Sequence, residues 1–161
     1  MDELHQLAAQ MQRVLHFRNM SPLDLLHVAS AGQIRRFRKG ETILGEGDAC
    51  DGMHVLLRGN VQLRKAGPQG QTGILAVIRP VIMFNEVALL DGGPNPCSAH
   101  ASADSTTWQI GPQAFQGLLE RYPQLGLSLL SVLARRNRQM IARYEDVSFR
   151  PVMARVSKLL L

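Results

Sequence analysis

The sequence predicts an α+β protein in which an antiparallel sandwich, barrel or jelly roll (here called the β-roll) has flanking helices and a long C-terminal helix. Three observations lead to this fold class. Glycines recur through residues 34–110 and separate short strand-like segments, a pattern typical of antiparallel β structure. Apolar residues before and after this region recur at helical spacing. Beyond Pro123, no further proline occurs before about residue 147, which predicts one long helix.

Two helices are predicted before the roll. Leu4, Leu7, Ala8, Met11 and Leu15 follow the helical period, which predicts an amphipathic helix over residues 2–17. The stretch "SPLDLLHVASAG" (residues 21–32) predicts a second, short helix, with a serine N-cap, a proline at the first helical position and a terminal glycine.

The strands of the predicted roll are short and lie between glycine and proline turns. The stretch "KAGPQGQTG" reads as the polar tip of a hairpin. The predicted strand segments are "IRRFR", "TIL", "MHVLLRG", "NVQLRK", "GILAVI", "SAHASAD" and "TTWQI".

After the roll the pattern becomes helical again. "PQAFQGLLERY" predicts a short helix that stops at Pro123, and a helix of roughly 24 residues follows. Leu133, Met140 and Val147 are seven residues apart in this helix, which indicates a heptad-like apolar stripe. The last segment, "FRPVMARVSKLLL", begins another amphipathic helix and ends in mid-pattern, so we expect the chain to be a fragment of a longer protein.

Composition limits the classes of function. The 161 residues carry a net charge of +5, which suits a nucleic-acid partner but is a mild signal. No apolar run approaches the ~20 residues that span a bilayer, and the acidic N-terminus is unlike a secretory signal, so no membrane partner and a cytoplasmic location are predicted. The two cysteines, Cys50 and Cys97, are predicted to be free thiols.

Neither catalysis nor a metal site is predicted. The sequence lacks a Gly-x-Ser-x-Gly elbow, a Gly-x-x-x-x-Gly-Lys loop and a His-Glu-x-x-His helix. Its five histidines are scattered and form no recognisable ligand spacing. Because a haem needs axial ligands, the same scatter argues against haem as a cofactor, and the sequence leaves the identity of any cofactor unknown.

Three segments together resemble the effector domain of the CRP/FNR family of bacterial transcription regulators, which is a cyclic-nucleotide-binding-like domain. "KGETILGEGDACDGMHVLLRGNVQL" looks like the family's strand–turn–strand signature, and "FNEVALLDGG" looks like its phosphate-binding cassette. "FRPVMARVSKLLL" looks like the hinge and first helix of its winged helix-turn-helix domain. The resemblance covers essentially the whole chain and implies an effector domain over residues 1–122, a dimerisation helix over 123–147, and a hinge with a truncated DNA-binding domain over 148–161.

The resemblance also implies partners and moving parts. In the family the long helix pairs with its twin, so the chain is expected to form a homodimer through Leu129, Leu133, Met140 and Val147. Promoter DNA is expected to bind through the C-terminal domain that this chain lacks, with RNA polymerase as a further candidate partner. Hinge residues are expected between Ser148 and Pro151, because proline breaks helices.

The candidate effector pocket departs from the family pattern. The Gly-Glu pair of the family falls on Asn85-Glu86, and its phosphate-binding Arg-Ser or Arg-Thr pair falls on Asn95-Pro96, where there is no positive charge. The purine-contacting pair of the long helix falls on Met140-Ile141, which is apolar. The remaining candidate pocket residues are Val87, Cys97 and Ser98. Ser98 has a hydroxyl that could bind a phosphate, but it lies two positions after the one where the family pattern expects it.

These departures predict an effector other than cyclic AMP or cyclic GMP, or no effector. Three alternatives stay open: a genuine cyclic-nucleotide-binding domain, a redox or haem sensor, and a plain dimerisation module. A redox role for Cys97 requires a nearby cation or helix N-terminus to lower its pKa. Glu86 is either a structural acid that caps the backbone amides of its turn or a member of a ligand-binding polar network.

Overall fold

The computed structural model describes the backbone of residues 3–149 and side chains as far as residue 145. The chain divides into two compact units, Met1–Arg121 and Tyr122–Leu161. The helices are α1 (Glu3–Met11), α2 (Pro22–Ser30), α3 (Glu86–Asp91), α4 (Pro112–Arg121) and α5 (Pro123–Phe149). The strands are β1 (Gln33–Phe37), β2 (Thr42–Leu44), β3 (Met53–Arg58), β4 (Val61–Ala66), β5 (Thr72–Ile78), β6 (Ile82–Phe84), β7 (Ser98–Ala101) and β8 (Ser105–Ile110).

Two four-stranded antiparallel sheets build the first unit, which confirms the predicted fold class. One sheet has the order β1-β8-β3-β6 and the other β2-β7-β4-β5. Each sheet joins strands that are distant in sequence: β8 pairs with β1 and β3, and β7 pairs with β2 and β4. A jelly roll requires these crossovers, since every sheet takes strands from both ends of the region.

A core of apolar side chains holds the two sheets together. It includes residues of both sheets: Leu44, Leu56, Val61, Phe84 and Ala99, with Ile43, Leu63 and Ile78 packed against them. Because side chains alternate along a strand, the residues of β3, β4 and β7 that alternate with these core positions point to the outer faces of the roll.

The first predicted helix is shorter than the sequence pattern indicated. α1 ends at Met11, and a separate 3-10 turn covers Leu15–Phe17. Met11, Val14 and Phe17 are all buried, and the Phe17 ring meets the Trp108 ring edge-on at 6.5 Å. Packing against β8 therefore overrides the helical spacing that continued to Leu15.

The second helix begins as predicted, and the glycine that follows it has a packing role. The Ser21 hydroxyl accepts a hydrogen bond from the Asp24 backbone N–H at 3.2 Å, which makes Ser21 the N-cap of α2. Gly32 follows the helix, but a Cβ there would lie 2.4 Å from the Gln109 carbonyl oxygen and from the Trp108 ring. This glycine is needed for close approach to β8.

Two short elements were not predicted from the sequence. β6 has three residues and pairs with β3, and α3 has six residues that follow it directly. Elements of this length carry too few positions to show a period. They matter because β6 leads directly into residues 85–97, which contain α3.

The long helix α5 agrees with its prediction and extends to Phe149. The predicted final helix and Pro151 lie outside the described residues. Between residues 3 and 149, no helix is long and apolar enough to cross a membrane.

Candidate functional site

The candidate site centres on residues 85–97, here called the cassette loop, which contains α3. Asn85 lies directly before α3 with φ 67° and ψ 18°, a left-handed conformation. Glycine adopts this conformation most easily, and asparagine tolerates it better than other side chains. Asparagine at the position where the resemblance implies a glycine is therefore compatible with the backbone of the loop, and it adds a side chain there.

The side chains of Asn85 and Asn95 form a hydrogen-bonded amide pair. The Asn85 Nδ2 donates to the Asn95 Oδ1 at 2.9 Å and to the Gly52 carbonyl at 2.9 Å. The Asn95 Nδ2 donates to the Gly45 carbonyl at 3.1 Å, and the Asn95 side chain is 4% exposed. The pair thus links the two ends of the cassette loop to the β2–β3 connection through neutral hydrogen bonds.

Backbone contacts hold the second half of the loop in the same place. The Asn95 N–H donates to the Asp48 carbonyl at 2.9 Å, and the Asn95 carbonyl accepts from the Gly47 N–H at 2.9 Å. Ala49 and Pro94 form an isolated antiparallel bridge. Because these contacts fix the Asn95 backbone, its buried amide group is fixed as part of the loop.

A lysine that the sequence analysis missed also contacts the loop. The Lys65 Nζ donates to the Pro96 carbonyl at 2.8 Å and forms an ion pair with Glu46 at 2.7 Å. The second Glu46 carboxylate oxygen accepts from the Ala66 N–H at 2.9 Å. The hydrogen bond from Lys65 is the main cause that lowers the pKa of Glu46.

The missed lysine lies 31 positions before Pro96, and strand pairing brings it there. β4 and β7 are antiparallel, with Arg64 opposite Ser98. The next pair outward is therefore Lys65 and Cys97. A search for cations within the loop sequence alone cannot find such a partner, whereas a correct β4–β7 register would have found it.

The two polar side chains that follow Pro96 are those of Cys97 and Ser98. Ser98 lies on β7 next to Ala99, so alternation puts its side chain on the face opposite the core, and its Oγ donates to the Arg64 carbonyl at 3.3 Å. Burial raises the pKa of the half-buried Cys97 thiol, although the Lys65 charge acts in the opposite direction. An activated thiolate at Cys97 is therefore not supported.

Cys50 is also unactivated. Its Sγ lies 3.6 Å from the Asn85 Nδ2 and donates weakly to the Gly52 carbonyl at 3.5 Å. Burial is the main cause that raises the pKa of this thiol. Cys50 therefore acts as a packing neighbour of the amide pair.

The remaining candidate pocket residues have different surroundings. Glu86 is 5% exposed at the first position of α3, whereas Val87 is 41% exposed at the second. Met140 and Ile141 belong to α5 in the second unit and are 66% and 52% exposed. The structure thus brings together Asn85, Asn95 and Cys50, and it adds Lys65 and Glu46 beside Pro96 and Cys97.

The residues expected in the dimer seam and hinge are distributed along α5. Leu129 is buried, Leu133 is half-buried and Met140 is exposed. The side chain of Val147 lies outside the described residues. The helix continues through Ser148 to Phe149, and Pro151 is outside the described range.

His54 is a buried histidine inside the roll. Its ring stacks on Phe84 at 5.2 Å, and its Nδ1 lies 3.0 Å from the Thr107 Oγ1. Burial lowers the pKa of His54 to about 4, so the ring is neutral at neutral pH. Within residues 3–149, no three His, Cys, Asp or Glu side chains come close enough together to hold a metal ion.

Comparison with known proteins gives one family and several relatives. Residues 34–122 match the family model described as "Cyclic nucleotide-binding domain". A CRP-like cAMP-activated global transcriptional regulator of Mycobacterium tuberculosis is 28% identical over 145 residues, which cover 90% of this chain and 65% of that protein. The chain therefore spans slightly less than two thirds of that relative's length.

Solved structures with the same fold include two bacterial proteins. The catabolite activator protein of Thermus thermophilus superposes with a TM-score of 0.79 at 28% identity, covering 83% of this chain and 63% of that one. The sensor domain of the transcriptional regulator DNR from Pseudomonas aeruginosa superposes with a TM-score of 0.78 at 24% identity, covering 88% and 95% of the two chains. At that identity the second likeness concerns the fold alone.

Proposed function

The chain belongs to the cyclic nucleotide-binding domain family, and from this we propose that it is the effector and dimerisation domain of a CRP/FNR-type transcription regulator. Two features support the proposal. The similarity to the Mycobacterium tuberculosis and Thermus thermophilus proteins extends beyond the matched family residues to 90% and 83% of this chain. The 27-residue helix α5, which follows the roll, supplies an element long enough for pairing between two copies.

We propose that the effector is a molecule other than a cyclic nucleotide, or that the domain has no effector. The observation that carries this proposal is the amide pair of Asn85 and Asn95. A cyclic phosphate brings a negative charge that loses water on burial, and a guanidinium normally compensates for it through charge-assisted hydrogen bonds. Here a neutral, buried amide occupies that position, and both its oxygen and its nitrogen already have partners.

The expected loss of affinity is large. Removing one partner of a buried ion pair costs on the order of 3–5 kcal/mol. At about 1.4 kcal/mol per factor of ten, this corresponds to roughly a hundredfold to several thousandfold weaker binding. A site that was micromolar with the arginine becomes about millimolar without it.

Lys65 does not replace the missing arginine in this proposal. Its ammonium group is already neutralised by Glu46 at 2.7 Å, and it also donates to the Pro96 carbonyl. A phosphate that approached this cation would be repelled by the Glu46 carboxylate and would have to displace it. A polar, uncharged ligand would meet no such repulsion.

The proposed mechanism is a shift between two arrangements of α5 and the segment that follows it. Effector binding near the cassette loop would favour one arrangement and so reposition the DNA-binding domains of a dimer. The proposed dimer seam contains Leu129, Leu133, Met140 and Val147, and the proposed hinge is Ser148 to Pro151. Promoter DNA, and RNA polymerase beside it, are the proposed partners, and the cytoplasm is the proposed location.

Calorimetric titration with cyclic AMP and cyclic GMP tests the effector proposal. We expect no saturable heat for dissociation constants up to about 100 μM. The double variant Asn95→Arg/Pro96→Ser should gain affinity for at least one of the two nucleotides. The matched control is Asn19→Arg, which adds the same charge at an exposed position. Saturable binding by the unaltered protein would overturn the proposal.

Two further measurements test the regulator proposal. Sedimentation velocity should show a dimer that Met140→Glu weakens and that Gln139→Glu, at the neighbouring exposed position, leaves intact. Chromatin immunoprecipitation of the native protein from its own cells should recover promoter DNA. A monomer at all concentrations, or a profile without promoter enrichment, would contradict the proposal.

A further inference from the structure

A cluster of positive charge lies on the first unit, on the outer face of the β1-β8-β3-β6 sheet. Arg36 on β1 and Arg58 on β3 are both paired with Thr106 on β8, one from each side. Residues paired across neighbouring strands point to the same face of a sheet. Since neighbouring strands lie about 4.8 Å apart, the two arginine Cα atoms are roughly 10 Å apart with the threonine between them.

This face is the one turned away from the core of the roll. Arg36 alternates with Phe37, whose ring lies 6.5 Å from the ring of the buried His54. Regular alternation would place Arg58 on the same face as the core residue Leu56, but the strand register shifts between Leu56 and Arg58. This β-bulge turns Arg58 to the outer face, where it lines the same cleft as Arg36 and Thr106. Arg36, Arg38 and Arg58 are all exposed. None of these three guanidinium groups takes part in an ion pair with the described residues.

The three arginines line a concave surface. A cleft of about 460 Å³ is lined by Arg36, Arg38 and Arg58, and the acidic residues Glu41 and Asp104 also line it. A second cleft of about 550 Å³ shares Arg36, Arg58 and Thr106 and continues toward Gln6 and Gln10 of α1. Both volumes lie in the range of small-molecule sites, which is roughly 300–1,000 Å³.

The two acids in the cleft are held by backbone amides. Glu41 accepts a hydrogen bond from the Arg38 N–H at 2.9 Å, and Asp104 accepts from the Lys39 N–H at 2.9 Å. Their carboxylates therefore order the turn after β1 and do not occupy the guanidinium groups. These carboxylates repel any phosphate placed against them, so the cleft disfavours a long polyanion such as a DNA backbone more than a compact ligand that stays between the guanidinium groups.

We propose that the groove walled by Arg36, Arg38 and Arg58 binds a small molecule that carries a pyrophosphate or polyphosphate group. The planar guanidinium fork matches phosphate oxygens in geometry as well as charge. Arg36 and Arg58 hold the phosphates from the two sides, and the Thr106 hydroxyl donates between them. This site is separate from the cassette loop and does not depend on the effector proposed for that loop.

Calorimetric titration with inorganic pyrophosphate and with ATP tests the site. The test variant is Arg36→Gln/Arg38→Gln/Arg58→Gln. The matched control is Arg13→Gln/Arg18→Gln/Arg79→Gln, which removes the same charge from exposed arginines outside the groove. We expect saturable binding by the unaltered protein and by the control, and at least about a tenfold loss for the test variant, because hydrogen bonds to charged groups are strong.

Three results would overturn the proposal. The first is no binding of either probe by the unaltered protein at low salt. The second is an equal loss in both triple variants, which would mean a response to net charge alone. The third is that the protein binds duplex DNA but neither phosphate probe, and that the groove variant abolishes the DNA binding. Thermal unfolding of both variants, expected within a few degrees of the unaltered protein, ensures that a loss reflects the groove and not the fold.

Discussion

Removal of the Asn85–Asn95 amide pair should destabilise the domain in a way that reveals a direct interaction between the two side chains. Asn95→Ala removes its side-chain hydrogen bonds to Asn85 and to the Gly45 carbonyl. A typical hydrogen bond contributes about 1 kcal/mol net, so the expected loss in the free energy of unfolding is about 2 kcal/mol. The Gly45 carbonyl also accepts from the Asp48 N–H, so it does not lose every partner.

The partner substitution needs a residue that keeps the backbone unstrained. Because Asn85 has a φ of 67°, alanine there would add about 1–2 kcal/mol of left-handed strain. Asn85→Gly avoids that strain and removes the hydrogen bonds to Asn95 and Gly52. Its expected cost is also about 2 kcal/mol, because glycine adopts the left-handed conformation without strain and only the two hydrogen bonds are lost.

A double-mutant cycle isolates the shared bond. The double variant should be about 1 kcal/mol more stable than the sum of the two single losses predicts, because both singles remove the same Asn85–Asn95 hydrogen bond. Urea unfolding at a fixed protein concentration measures all four free energies, and Asn19→Ala at an exposed position should change stability by less than about 0.5 kcal/mol. A coupling energy near zero would refute the reasoning, since the amide pair would then not form in solution.

Three further changes test other parts of the structure. The pKa of His54 is lowered to about 4, below the roughly 6.5 of an unfolded histidine, so the unfolded state binds more protons between these two pH values. The free energy of unfolding should therefore fall by about 3 kcal/mol as the pH drops from 6.5 to 4. Urea unfolding of His54→Gln at the same two pH values should lack this contribution. Lys65→Met should raise the pKa of Glu46 toward its ordinary value, measured by NMR titration, and an unchanged pKa would contradict the ion pair. Gly32→Ala should lower stability by about 1–3 kcal/mol in thermal unfolding because its Cβ meets the backbone of β8, whereas Gly117→Ala, with open space around it, should not.

Most of the helices and strands, although not β6 and α3, were available from the sequence because each depends on local chemistry. Ser21 and Pro22 define the start of α2, the recurrent glycines mark the turns of the roll, and the uninterrupted stretch after Pro123 defines α5. The absence of a positive charge at Asn95-Pro96 was also readable, since it required only the loop itself.

The tertiary structure decided which groups surround Asn95 and Pro96. The hydrogen bond between Asn85 and Asn95, the fixed position of the loop against Gly45 and Gly52, and the Lys65–Glu46 pair all join segments far apart in the chain. Strand register places Lys65 beside Cys97 and points Ser98 away from the core, and register depends on how two sheets pack. The sequence by itself determined the fold class, most of the helices and strands, and the neutral character of Asn95-Pro96. Only the packing of distant strands determined the groups that meet at the loop, because such contacts leave no local pattern along the chain.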